Sequence, residues 1–182
     1  ISGNAIGGRS GELAALRWSD IDLGEQELKV NHSLRDLKGR AWSLDEPKSA
    51  RSRRKIGLTI SLADELRSHR KRQNERIIAS GEIYKDHGFV FSRDDGRPLI
   101  VSSLKRRHLE PILRRAGLPT STRVHDLRHT AISHALAHGA PIADVSQWAG
   151  HASVAITLSL YAHALPEANK RTTETVALAL GV

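Results

Sequence analysis

The spacing of apolar residues changes period several times along the chain, and each change predicts a different element. In residues 10–18, SGELAALRW, Leu13, Leu16 and Trp18 fall on the packing side of a short helix, with Ser10 placed to cap it. Residues 19–58 abandon helical spacing for short alternating runs, broken by Gly24, by DLKGR and by EPKSARS. That pattern predicts a three-stranded antiparallel meander. Residues 61–80 return to a helical period with Leu62, Leu66, Ile77 and Ile78 on the apolar side. HGFVFSRDDGRPL reads as a short strand and a turn. From Val101 to the end the chain reads as helix throughout, punctuated by GLPTST, HGAP, AGHAS and ALPE. No internal repeat or low-complexity linker interrupts it, so residues 1–182 are expected to form one domain. The expected fold class is α+β, mainly α, with one small sheet.

Composition narrows the partners. The chain of 182 residues carries a net charge of +8, the electrostatic footprint of a polyanion partner, with nucleic acid favoured over a membrane surface. Aromatic residues are 4% of the total, too few for a base-stacking platform, so contact with a duplex backbone fits better. The absence of cysteine excludes disulfides and thiolate metal sites and agrees with a cytoplasmic location. No apolar run is long enough to cross a bilayer. Methionine is absent too, so Ile1 is not expected to be a translation start, and the chain reads as a fragment or a processed piece.

The chemistry concentrates in VHDLRHTAISHALAHG, residues 124–139. On a helix His125 and Arg128 project to one side near the N-terminus, where free N–H groups favour a phosphate. HDLRH also mimics the H-E-x-x-H zinc pattern. Against metal binding, Asp126 is one methylene shorter than the glutamate that pattern needs, and Arg128 sets a fixed cation on the ligand face. His134 and His138 read as ordinary histidines on an alanine-rich helix.

Two further segments complete the pattern. WAGHASVAITLSLYAH puts His151 ten positions before Tyr161, and GGRSGELAALRWSDIDL puts Arg9 three before Glu12. With these residues the sequence resembles the tyrosine recombinase, or phage integrase, family. Gly7, Arg9, Glu12, Leu13, Leu16, Trp18, Asp20, Ile21 and Asp22 match the family's opening box. His125, Leu127, Arg128, His129 and Thr130 match its His-x-Leu-Arg-His-Thr box, Gly150 and His151 its Gly-His box, and Tyr161 its nucleophile. PKSARSRRKIGL looks like the strand-turn-strand piece that carries a lysine, here Lys48, with Gly57 where the family often has proline. The resemblance covers almost the whole chain and implies the family's helical catalytic core.

That resemblance implies site-specific DNA recombination with neither metal nor cofactor. Attack on a phosphodiester spreads negative charge over equatorial oxygens, and arginine suits it because it stays protonated and offers a planar fork. Arg9 and Arg128 are the expected clamps and His151 a third donor. Tyr161, whose free phenol has a pKa near 10, would be favoured as phenolate by these cations, with His125 hydrogen-bonding it or taking its proton. The product would be a 3′-phosphotyrosine and a free 5′-hydroxyl, with Lys48 as proton donor to the leaving oxygen. Glu12 is expected to orient Arg9, and His129 to tie its helix to a neighbouring backbone group. For Arg51, Arg53, Arg54, Lys105, Arg106 and Arg107 two readings stand: contacts to DNA phosphates, or solvated turns.

Family members commonly carry a separate DNA-clamping domain and a first core helix before Gly7; both are expected to lie outside this sequence. The family's chemistry implies a homotetramer on paired double-stranded sites and a monomer without DNA. The closing LPEANKRTTETVALAL reads as an amphipathic helix that docks on a neighbouring subunit or on its own domain. Two other classes compete: a type IB topoisomerase relaxing supercoils, and a non-catalytic DNA-binding module.

Overall fold

The computed structural model of the chain describes residues 6–37, 41–46, 53–165, 173 and 176–181. The first described element is a short helix, α1 (Ser10–Ala15). Its cap is Arg9 rather than Ser10: Arg9 has extended backbone, and its N–H donates to the Glu12 carboxylate at 2.9 Å. A glutamate at the third helical position satisfies a first-turn donor in this way whatever the capping residue.

Among the described residues five strands follow: β1 (Ile21–Asp22), β2 (Glu27–Val30), β3 (Ser33–Leu37), β4 (Ala41–Asp45) and β5 (Arg54–Gly57). They form two antiparallel sheets, β1-β2-β5 and β3-β4, rather than the single meander expected. The reason is packing. Leu34, Trp42 and Leu44 of the β3-β4 hairpin cover Ala14 and Ala15 of α1, which draws the hairpin away from β2. β5 fills the vacated edge, with Leu28 opposite Ile56 and Val30 opposite Arg54.

The long helix α2 (Ile60–Ser80) is capped by the Thr59 hydroxyl, which accepts from the Leu62 N–H. It buries Leu62 and Leu66 against the three-stranded sheet, but Ile78 is exposed. Gln73 takes the inward place, accepting from the Trp18 indole N–H at 2.7 Å and donating to the Phe89 carbonyl at 2.9 Å. Residues 87–99 make no continuous strand, only isolated bridges from Phe89 to Arg17 and from Ser92 to Pro98.

The remaining described elements are helical. A turn at Val101–Ser103 and a π-helical turn at Lys105–Leu109 lead into α3 (Glu110–Arg115), followed by α4 (Val124–Ala137), α5 (Ile142–Ala149) and α6 (Val154–Tyr161). Ile132, Leu136, Val145, Ala149 and Tyr161 make a second core, and Trp148 packs against both it and the sheet core. The α5 helix ends at Gly150, whose φ of 67° is left-handed, while the His151 N–H closes back on the Ser146 carbonyl. That tight stop puts His151 at the seam between the two cores. Residues 176–180 are helical, with Leu178 and Leu180 exposed. Among the described residues no helix is long and apolar enough to cross a membrane.

Candidate active site

Three arginines from three elements converge on the C-terminal end of α5. Arg54 donates from Nε to the Trp148 carbonyl at 2.8 Å, Arg128 from Nη2 to the Ala149 carbonyl at 2.5 Å, and Arg9 from Nη2 to the Gly150 carbonyl at 2.8 Å. Helix C-termini leave carbonyls without intrahelical donors and carry partial negative charge, so cations settle there. Arg128 also donates from Nη1 to the Gly7 carbonyl and is 4% exposed. Arg9 is the open member, its side chain 42% exposed. A guanidinium has five N–H donors, so Arg9 and Arg128 retain hydrogens for an anion after these bonds.

Glu12 links two of the three. Its Oε1 accepts from Arg9 Nη1 at 2.7 Å and its Oε2 from Arg54 Nη2 at 2.9 Å. Burial by itself raises the carboxyl pKa, but the hydrogen bonds and charge of Arg54, with those of Arg9, outweigh it and hold Glu12 below its ordinary range. Burial, followed by the charge of Arg9, brings Arg128 down to about 10, which leaves it protonated at neutral pH.

His151 is buried, and its Nδ1 lies 2.8 Å from the Thr157 hydroxyl. Burial first, then the charges of Arg128 and Arg9, push the imidazole down to about 4, so it is neutral at pH 7. Its ring faces that of Tyr161 at 6.3 Å between centroids, with 12° between planes. Tyr161 is 2% exposed, and its hydroxyl lies 2.5 Å from Nδ1 of His129. Burial raises the phenol above its ordinary pKa, against a smaller lowering by Arg128.

The sequence expectations fare unevenly. Arg9, Arg128, His151, Tyr161 and Glu12 come together as described. His129 meets the Tyr161 hydroxyl rather than a backbone group. His125 is exposed and stands edge-on to the His129 ring at 4.5 Å; its pKa is lowered by burial and then by His129 and Arg128. Asp126 is bound by Arg123, whose backbone N–H and Nη2 both donate at 2.8 Å, and that pairing brings its carboxyl down to about 2. Arg54 corrects the expectation of a phosphate contact on an outer turn: its side chain is 2% exposed and its donors are turned inward. Arg53 is exposed and pairs with Glu46 at 2.5 Å. Arg106 and Arg107 are exposed on the π-helical turn, and Lys105 reaches the Ser121 carbonyl at 3.4 Å. Lys48 and Arg51 lie outside the described residues. The sequence reading missed Thr157 as the partner of His151, although a hydroxyl six residues on, one turn into α6, is the available signal.

Beside His151 opens a cleft of about 740 Å³ whose lining includes Lys29, Asn31, Arg53, Arg54, Lys55 and Gln147. The arrangement therefore offers cationic donors, a neutral imidazole and a phenol beside a basic cleft, a set fitted to a phosphodiester.

Comparison with known proteins agrees. Residues 5–168 match the model of the phage integrase family, and the chain belongs to that family. It is 34% identical over 179 residues to a XerC-like tyrosine recombinase of Caldanaerobacter subterraneus subsp. tengcongensis, covering 92% of this chain and 45% of that protein. It is 28% identical over 159 residues to the integrase of Staphylococcus phage L54a, covering 86% of this chain and 44% of the phage protein. The chain thus spans less than half the length of these relatives. Among solved structures, the XerA recombinase superposes with a TM-score of 0.65 at 26% identity, over 96% of this chain and 55% of that one. The Tn1549 transposon integrase in complex with circular intermediate DNA gives 0.75 at 24% identity, over 97% of this chain and 58% of that one, a likeness of fold.

Proposed function

We propose that this chain is the catalytic domain of a site-specific recombinase that cuts and rejoins double-stranded DNA through a 3′-phosphotyrosine. The observation that carries the reading is the gathering of Arg9, Arg128, His151 and Tyr161 around the C-terminal end of α5. Arg9 and Arg128 take the non-bridging oxygens of the scissile phosphate with their remaining N–H groups, and neutral His151 donates from Nε2. The Tyr161 oxygen attacks phosphorus, the bond to the 5′-oxygen breaks, and the phenol proton passes to His129, the base in contact with it. Lys48 protonates the leaving 5′-oxygen. Attack by a second 5′-hydroxyl reverses the step without an external energy source, because the phosphotyrosine conserves the ester bond. Removing one preorganised donor from such a site costs about 3–4 kcal/mol of barrier.

Arg53, Lys105, Arg106 and Arg107 serve as backbone contacts along the duplex, four chains assemble on two paired sites, and the protein works in the cytoplasm. The basic cleft beside His151 and the DNA-bound integrase of similar fold support this reading.

A nicked suicide duplex carrying the crossover sequence of this recombinase tests it. Wild type is expected to form a covalent adduct resistant to denaturation and sensitive to protease, and Tyr161→Phe none. An equal lack of adduct from both would sink the proposal, and site-independent relaxation of supercoiled plasmid would favour a topoisomerase instead.

A further inference from the structure

Arg54 lies in the wall of the cleft beside His151, yet its side chain is only 2% exposed. It sits in β5 in phase with Ile56, both inward, while Lys55 between them faces out. An arginine on the core side of a strand needs compensation for its charge and its donors. It has both: Nη2 binds Glu12 Oε2 at 2.9 Å and Nε binds the Trp148 carbonyl at 2.8 Å. A Cβ built on Gly150 would meet Arg54 Nη1 at 2.6 Å, so the guanidinium lies against the bare α-carbon of that glycine.

We infer that Arg54 is a positioning residue that sets the geometry of both Arg9 and His151. One route runs through Glu12, whose Oε2 accepts from both Arg54 and the Arg9 backbone N–H while its Oε1 accepts from the Arg9 guanidinium, so fixing the carboxylate through Arg54 fixes the acceptor of Arg9. The second runs through the end of α5. Arg54 holds the Trp148 carbonyl and abuts Gly150, the residue whose carbonyl accepts from Arg9 and whose left-handed turn aims His151. Lysine cannot substitute, because an ammonium is a point charge and not a planar fork that serves two acceptors in different directions. The role also explains why a third cation adjoins a site that needs two clamps: the buried Glu12 carboxylate, already paired with Arg9, gains a second counter-charge from Arg54.

The test compares wild type with Arg54→Lys and Arg54→Gln in the full-length protein; its rate arm rests on the recombinase reading. Binding to the suicide duplex and the first-order rate of adduct formation at saturating DNA are measured separately. Dissociation constants are expected to stay within about threefold, while the saturated rate falls roughly thirtyfold or more in both variants. In the DNA-free protein, the Arg9 Nε–H and His151 ring signals in NMR spectra should move in Arg54→Lys while unfolding stays cooperative. Affinity lost by about tenfold with the saturated rate unchanged would overturn the inference and make Arg54 a phosphate contact. Unchanged Arg9 and His151 signals in a folded Arg54→Lys would overturn it as well. Should Arg54→Gln fail to fold, Arg54→Lys decides. Should wild type form no adduct, the recombinase reading fails and the NMR comparison alone decides the role of Arg54.

Discussion

The Tyr161 hydroxyl and Nδ1 of His129 stand 2.5 Å apart, joining the last residue of α6 to the second turn of α4. The Tyr161 residue is 2% exposed, so it is a packed core group whose hydroxyl meets the His129 imidazole. The same side chain belongs to the hydrophobic cluster of Ile132, Leu136, Val145 and Ala149. Stability and the proposed chemistry therefore meet in one residue, and they can be separated by measurement.

Tyr161→Phe keeps the ring and removes the hydroxyl, leaving His129 Nδ1 without that partner. The unfolding free energy should fall by about 1 kcal/mol, the net worth of a hydrogen bond of this kind. In a double-mutant cycle with His129→Leu, followed by urea unfolding without DNA, the coupling should be roughly 0.5–1.5 kcal/mol. Strict additivity would show that the contact carries no energy.

Gly150 is the second such point. Its φ of 67° is strained for any residue with a Cβ, and that Cβ would lie 2.6 Å from Arg54 Nη1. Gly150→Ala should therefore destabilise by about 2 kcal/mol or more, strain and displacement combined. Gly57 has no neighbour within 4 Å of such a Cβ, and Gly57→Ala should change stability by no more than about 0.5 kcal/mol. Equal effects at the two positions in thermal unfolding would contradict the crowded geometry at Gly150.

Much of this site was legible in the sequence, because the boxes around Arg9, Arg128, His151 and Tyr161 are local and their spacing survives folding. What failed was long-range. Ile78 follows the helical period yet faces solvent, while Gln73 takes a buried place because it has polar partners in the core. The β3-β4 hairpin could pair with β2 or pack on α1, and only the alanines of α1 decide it. Arg54 is instructive because its signal was present: RKIGL alternates Arg54, Ile56 and Leu58 on one side, and all three are buried. A charge in core phase on a strand predicts a buried partner, and that partner is Glu12. Reading the basic run as a unit hid the alternation.

Acid should loosen the fold through His151. Its folded pKa of about 4 lies below the ordinary 6.5, so between those values the unfolded chain binds more protons than the folded one. The stabilisation is complete above pH 6.5 and is lost progressively as pH falls towards 4. His125 is displaced in the same direction and adds to the effect, whereas the lowered carboxyls of Glu12 and Asp126 act at more acid pH. The melting temperature should drop between pH 6.5 and 4, and His151→Gln should flatten that slope. Parallel curves for the two proteins would mean that His151 is not held neutral by its surroundings.

The Thr157 hydroxyl should control which nitrogen of His151 carries the proton. Thr157 is fully buried, and its Oγ1 is 2.8 Å from Nδ1. A neutral imidazole has one N–H, so donating to a phosphate from Nε2 requires Nδ1 to accept, and the threonine hydroxyl must then donate to it. Thr157→Val preserves shape and removes the donor. The ring must then leave Nδ1 unsatisfied, at a cost of about 1–3 kcal/mol, or move its proton to Nδ1 and surrender the Nε2–H. Either way the saturated rate of adduct formation should fall by about tenfold or more with DNA affinity retained, while Thr157→Ser should keep most of the rate. Nitrogen chemical shifts of the His151 ring read the tautomer directly: Nε2 should be the protonated nitrogen in wild type and in Thr157→Ser. If Thr157→Val proved as fast as Thr157→Ser, the proton on Nε2 would not depend on this hydroxyl, and the donor role of His151 would have to be set by the bound phosphate itself.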